Sequence, residues 1–223
     1  MSELAFSVPG RSECTWTTAH GPVHGTLILP EPLVAIAILI HAGLERRTSD
    51  DPLAAILQHA GTGTLLLDLL TASERRYSDI QRNVPLLTQR LLDVLALFKQ
   101  HMSLGDLPML PIAFCAYGDC SPAAVRVAAW RDHDIFAVVC HGGMIDLAGM
   151  LYLRTLTSPL LVLVDADDQR LLQSNRRALR EVNCPSRCLT LADDGETASQ
   201  MNFSAFAARQ SAQWLLEHLP RAA

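Results

Sequence analysis

The chain has 223 residues, 49% of them apolar, and a formal net charge of -5; this suits one sizeable core and predicts a single domain over residues 1–223. No run of Lys and Arg concentrates a basic field, so nucleic acid is not an expected partner. No stretch approaches eighteen consecutive apolar residues, and the start "MSELAFSVPGRSE" has neither a basic opening nor an unbroken apolar run, so a soluble, cytoplasmic protein without a membrane partner is expected.

Taken in chain order, "TWTTAHGPVHGTLILPEP" reads as two strands around a Gly-containing turn, an antiparallel hairpin ending at Pro30 and Pro32. "LVAIAILIHAG" is a continuous apolar run ending in His41-Ala42-Gly43, as expected of a strand buried on both faces. "SDDPLAAILQHAGTG" predicts a helix, with Ser49 and Asp50 before Pro52 and Gly61 as its stop. Then follow strand "TLLLDLL", a polar excursion through residues 71–84, the long helix "VPLLTQRLLDVLALFKQHM" and strand "LPIAFCA".

The second half continues with helix "SPAAVRVAAWR", strand "IFAVVC", strand "SPLLVLVDA", helix "DQRLLQSNRRALREV", strand "RCLTL" and helix "FSAFAARQSAQWLLEHL". Strands separated by helices imply βαβ units. The fold class is therefore α/β: a mostly parallel sheet of about seven or eight strands with helices on both faces, in three αβα layers. Ligands bind at the carboxyl ends of such strands. The loops there hold His41 to Gly43, Asp68, residues 114–125, His141 to Gly143, Asp165 to Asp168 and residues 192–197.

Six cysteines are present, Cys14, Cys115, Cys120, Cys140, Cys184 and Cys188. Three lie in or at the ends of apolar runs, which suits reduced core thiols. None forms a C-x-x-C pair and no His has finger-like spacing from two of them, so no structural zinc is expected. Lys99, the one lysine, lies in a helical stretch, which argues against Schiff-base chemistry. No cofactor or metal is called for.

The order of elements, with "HAG" after the third strand, "TLLLDLLT" at the fourth, a strand-turn-helix over 110–131, "AVVCHGGMIDLAG", "LLVLVDADD" and a closing amphipathic helix, resembles the α/β-hydrolase fold and, within it, the dienelactone-hydrolase-like group. The resemblance runs from about residue 12 to residue 219. It implies a carboxylic ester or lactone hydrolase with a Ser or Cys nucleophile on a small-x-nucleophile-x-small elbow, then an acid, then a His.

Laid on that pattern, the elbow is Ala116-Tyr117-Gly118-Asp119-Cys120, and Gly118 holds the nucleophile position without a side chain. A register one residue earlier would place Tyr117 there. Asp168 matches the acid, while the loop "ADDGET", which should carry the His, holds Glu196 instead; His218 is the one His beyond it. A His is suited to the role because its pKa near neutrality lets it take and return a proton.

The oxyanion donors implied by the resemblance are the Asp119 N–H and an N–H near Ala42 and Gly43. The Asp119 carboxylate is a difficulty: two like charges about 4 Å apart repel by roughly 4 kcal/mol at an effective dielectric of 20, comparable to what one oxyanion donor supplies. The degenerate elbow and missing His predict that ester or lactone hydrolysis is absent or weak, leaving a pocket for a small ligand (an ester, lactone or carboxylate) or for a partner, a homodimer being left open.

The alternative is a rearranged active hydrolase. In "GDCSP", Cys120 also reads as small-x-Cys-x-small, with Ser121 as N-cap and Pro122 as first helical residue, and a thiol beside a helix N-terminus can be activated; the plainer reading is that Cys120 fills the small position that lets the elbow pack closely. His141 or His41 would take its proton and Asp168 would orient the His. Asp119 could act as a nucleophile but is also a favoured helix cap. Asp165, Asp167, Asp168, Asp193, Asp194 and Glu196 form an acidic rim if the last two strands are neighbours, which could hold a divalent cation through carboxylate oxygens or, more plainly, is a solvated acidic edge.

Overall fold

The structure is a computed structural model and describes residues 8–43, 51–191 and 205–220. Eight strands form one sheet in the order β1-β2-β4-β3-β5-β6-β7-β8. They are β1 (Gly10–Thr18), β2 (Gly21–Leu29), β3 (Ala35–His41), β4 (Thr62–Asp68), β5 (Ile112–Tyr117), β6 (Ile135–His141), β7 (Leu160–Asp165) and β8 (Ser186–Leu191). The N-terminal hairpin is antiparallel, β2 also runs antiparallel to β4, and every pairing from β4 to β8 is parallel. The expected three-layer α/β architecture is present.

The central strands read as unbroken apolar runs because both faces are covered: all seven residues of β3 and all six of β5 are buried. On one face lie α1 (Pro52–His59) and α7 (Ala205–Glu217), which pack Leu53, Leu57, Ala208 and Leu215 against Leu39, Cys115 and Val139. On the other lie α3 (Val84–Leu104), α4 (Ser121–Trp130), α5 (Met150–Thr155) and α6 (Gln169–Ala178), with Leu91, Phe98, Val125 and Leu153 against Ile40, Phe114 and Cys140. Alternate residues of β5 thus serve opposite layers.

Several boundaries differ from the sequence reading. The polar excursion contains a short helix, α2 (Ser78–Gln81), after a 3-10 turn at Glu74–Arg76. The segment between β6 and β7, read as a plain connection, folds into a 3-10 turn at Ile145–Ala148 and α5. The N-cap of α1 is Asp51, whose carboxylate accepts from the N–H groups of Leu53 and Ala54; the expected caps Ser49 and Asp50 lie outside the described residues. All six cysteines are free.

The excursion is organised by a deeply placed cation. Arg90 of α3 is 3% exposed and donates to the Leu69 and His20 carbonyls and, through two nitrogens, to both oxygens of Glu74 at 2.7 and 2.8 Å. Hydrogen bonding from Arg90 is the largest cause that lowers the Glu74 carboxyl from 4.5 to about 2. This bidentate pair folds the excursion back over the strand ends.

Candidate functional site

The carboxyl ends of β3, β5 and β6 lie side by side, and their last residues face the α1 side of the sheet. The Tyr117 ring stacks on His41 with centroids 4.1 Å apart at 15°, and meets His141 edge-on at 6.0 Å and 82°. The Tyr117 hydroxyl donates to Asp51 Oδ2 at 3.4 Å. Tyr117 is therefore a packed wall between two imidazoles, with its hydroxyl directed at the cap of α1.

At Gly118 the chain leaves the strand with φ of +53°, enters a 3-10 turn over Gly118–Cys120 and continues directly into α4. A residue with a Cβ is disfavoured at such a φ by about 1–2 kcal/mol, and glycine is not. A Cβ built on Gly118 would meet no described atom within 4 Å. The elbow thus has the left-handed backbone of a tight strand-to-helix turn with space beside its central residue.

Gly143 supplies the neighbouring backbone. With φ of +77°, it lies so close that an added Cβ would come within 2.0 Å of the Gly118 carbonyl oxygen. The Ser121 hydroxyl donates to the Gly142 carbonyl at 2.8 Å, the Asn175 Nδ2 donates to the Gly143 carbonyl at 3.0 Å, and the Ile145 N–H donates to Asn175 Oδ1 at 3.0 Å. This network, with both Ser121 and Asn175 fully buried, has no signal in the sequence because its members come from the segment after β6, from α4 and from α6.

The start of α4 corrects the capping assignment. Cys120 occupies the N-cap and makes no side-chain cap bond, so Ser121 is the first helical residue and Pro122 the second. The physical reason is the 3-10 turn: Cys120 already has helical φ and ψ of -79° and -18°, so no extended capping residue intervenes. Asp119 makes no cap bond either; its exposed carboxylate is 3.9 Å from the Arg82 guanidinium.

Cys120 is fully buried among Ala123, Ala124 and the α3 side of the core. Burial, followed by the charges of Asp68 and Asp119, raises its thiol well above the ordinary range, the opposite of an activated nucleophile. Asp168 caps α6 by accepting from the Leu171 N–H at 2.8 Å. Asp68 accepts from the Gly43 and Leu70 N–H groups, each at 2.9 Å, and pairs with Arg75 at 2.8 Å. The Gly43 N–H is therefore already given to a carboxylate, while Ala42 is half-buried beside it.

Of the sequence candidates, the structure gathers His41, Ala42, Gly43, Tyr117, Gly118, Asp119 and His141 at one end of the sheet, pairs His141 with Tyr117 and turns Cys120 into the core. Glu196 and the loop expected to bear the base lie outside the described residues. His218 Nδ1 donates to the Trp214 carbonyl, 2.8 Å away, and its ring lies against the Trp214 ring at the end of α7. Among the described residues no group of three or more His, Cys, Asp or Glu side chains is placed to hold a metal ion, and no helix is long and apolar enough to cross a membrane.

Strand order, the single antiparallel β2 within the eight strands and the sharp turn after β5 define the α/β-hydrolase fold. The dienelactone hydrolase of Anabaena variabilis superposes with a TM-score of 0.80 at 24% identity, covering 95% of this chain and 99% of that one. A cold-adapted esterase from an Arctic intertidal metagenomic library gives 0.69 at 13% identity, covering 94% of each. These likenesses establish the fold.

No family model matches the chain. In sequence, 202 residues (89% of the chain) are 31% identical to a Mycobacterium tuberculosis protein described as "Putative phosphoribosyl transferase", found in two strains. The match spans 44% of that protein's length, so the chain corresponds to less than half of these curated relatives.

Proposed function

We propose that this chain is a dienelactone-hydrolase-like protein that binds a small molecule at the carboxyl end of the sheet and hydrolyses esters or lactones weakly or not at all. The observation that carries this reading is Gly118: the central position of the elbow has the positive φ of +53° and adjoining space but no side chain that could attack a carbonyl. The ligand is an ester, lactone or carboxylate held beside Gly118, Asp119, His41 and His141. Without a nucleophile and its base, what remains is binding and whatever stabilisation the backbone donors provide.

The phosphoribosyl transferase description belongs to the relatives. We take it to describe the 56% of their length that this chain does not match, since the part in common has the α/β-hydrolase fold. A reducing, cytoplasmic setting accords with six free thiols.

The test is a panel of short-chain aryl esters and lactones assayed on the wild-type chain and on Cys120→Ala. Turnover near the uncatalysed background in both is the expected result. Robust turnover abolished by Cys120→Ala would overturn this proposal and establish a rearranged nucleophile; robust turnover unaffected by it would place the nucleophile elsewhere.

A further inference from the structure

We infer that Asn175 is a positioning residue for the elbow site: acting through the loop after β6, it fixes the backbone against which the space beside Gly118 is built. The inference rests on the elbow being the ligand site. Asn175 is fully buried on α6, a helix whose Arg170, Arg176 and Arg177 are exposed. A primary amide taken out of water is costly unless both its ends are satisfied. Here Nδ2 donates to the Gly143 carbonyl and Oδ1 accepts from the Ile145 N–H, each at 3.0 Å. The partners also fix which end of the amide is oxygen.

Those two backbone groups lie either side of Met144, so one side chain brackets the loop and sets the orientation of two peptide planes. The bracketed segment touches the elbow directly: a Cβ on Gly143 would lie 2.0 Å from the Gly118 oxygen and 2.8 Å from its carbonyl carbon. The elbow has no side-chain cap of its own at Gly118–Cys120 or at the start of α4. Its backbone is held from outside, by Asn175 through Gly143 and by Ser121 through Gly142. An asparagine that served only to seat α6 would have no route to Gly118.

The test compares amide spectra and thermal midpoints of the full chain with Asn175→Asp and Asn175→Ala. The aspartate keeps an acceptor for the Ile145 N–H but sets a carboxylate against the Gly143 carbonyl; the alanine removes both bonds. Asn175→Asp should displace the amide resonances of Gly118, Asp119 and Gly143, move Ile145 less, and leave the hairpin β1–β2 unchanged; Asn175→Ala should displace all four. A lowered midpoint with Gly118 and Asp119 resonances unmoved would overturn the inference, as would failure of both variants to fold, which would make Asn175 a folding residue. The spectra are read without ligand, so a failed ligand assay bears on the proposed function alone.

Discussion

Gly143 and Gly118 are in backbone contact across two loops, with room for a Cβ beside Gly118 and none on Gly143, where it would lie 2.0 Å from the Gly118 carbonyl oxygen. Both have positive φ, so both substitutions to alanine carry the left-handed penalty of about 1–2 kcal/mol. Gly143→Ala adds a clash with backbone, which has no flexible end to move aside. Urea unfolding should show Gly118→Ala losing about 1–2 kcal/mol and Gly143→Ala clearly more, about 3 kcal/mol or above. Equal losses would mean that the two loops part easily.

Much of the fold is legible in the sequence because buried parallel strands write themselves as apolar runs. "AIAILIH" and "IAFCAY" are β3 and β5 almost to the residue. Residues 145–155 were not legible: α5 has six residues, too few to show helical periodicity, and its Met150 and Leu151 are exposed where an amphipathic pattern would bury them. In the site, Gly118 is legible only once the strand-turn-helix is laid on the elbow pattern that the resemblance implies. For Cys120 the sequence offers both packing and a nucleophile, and the 3-10 turn between Gly118 and Ser121, which buries the side chain, supports packing. Asn175 and the Arg90–Glu74 pair are not legible, because their partners lie 16 to 32 residues away.

The Arg90–Glu74 pair sets an acid limit on stability. The Glu74 carboxyl sits near 2 in the folded chain against an ordinary 4.5, chiefly through its hydrogen bonds from Arg90. A carboxyl lowered by folding contributes stability that is complete above its unfolded value and disappears as pH falls through its folded value. Stability attributable to Glu74 should therefore be full above about pH 4.5 and decline towards about pH 2, and Glu74→Gln should flatten that part of a stability profile followed by circular dichroism. Arg90→Ala leaves the carboxylate and two carbonyls without their donor and should cost about 3–5 kcal/mol.

Thiol chemistry separates the two readings of Cys120. Its sulfur is fully buried and its ionisation suppressed, whereas Cys184 and Cys188 are half-buried. Under native conditions near pH 7, iodoacetamide should modify Cys184 and Cys188 first, with Cys120 at least about tenfold slower than free cysteine. Peptide mapping over time reads this directly. Labelling of Cys120 at or above the free rate would restore it as a candidate nucleophile.

On the proposed reading, a nucleophile and a base added to the site should act only together. Gly118→Ser places a hydroxyl at the elbow, and Glu196→His places an imidazole in the loop that the resemblance assigns to the base. Asp168 keeps Oδ2 for such a His while Oδ1 accepts from the Leu171 N–H. A hydroxyl without a base is a poor nucleophile near neutral pH, and a base without a hydroxyl has nothing to deprotonate. Each single variant should therefore match wild-type ester turnover, and the double variant should exceed it by roughly a hundredfold, the lower part of the range for a positioned general base. The double variant needs the serine strain at φ of +53° to be tolerated, which its thermal midpoint relative to Gly118→Ala checks independently. A folded double variant no faster than either single change would show that the elbow and the following loops do not hold the spacing that acyl transfer requires.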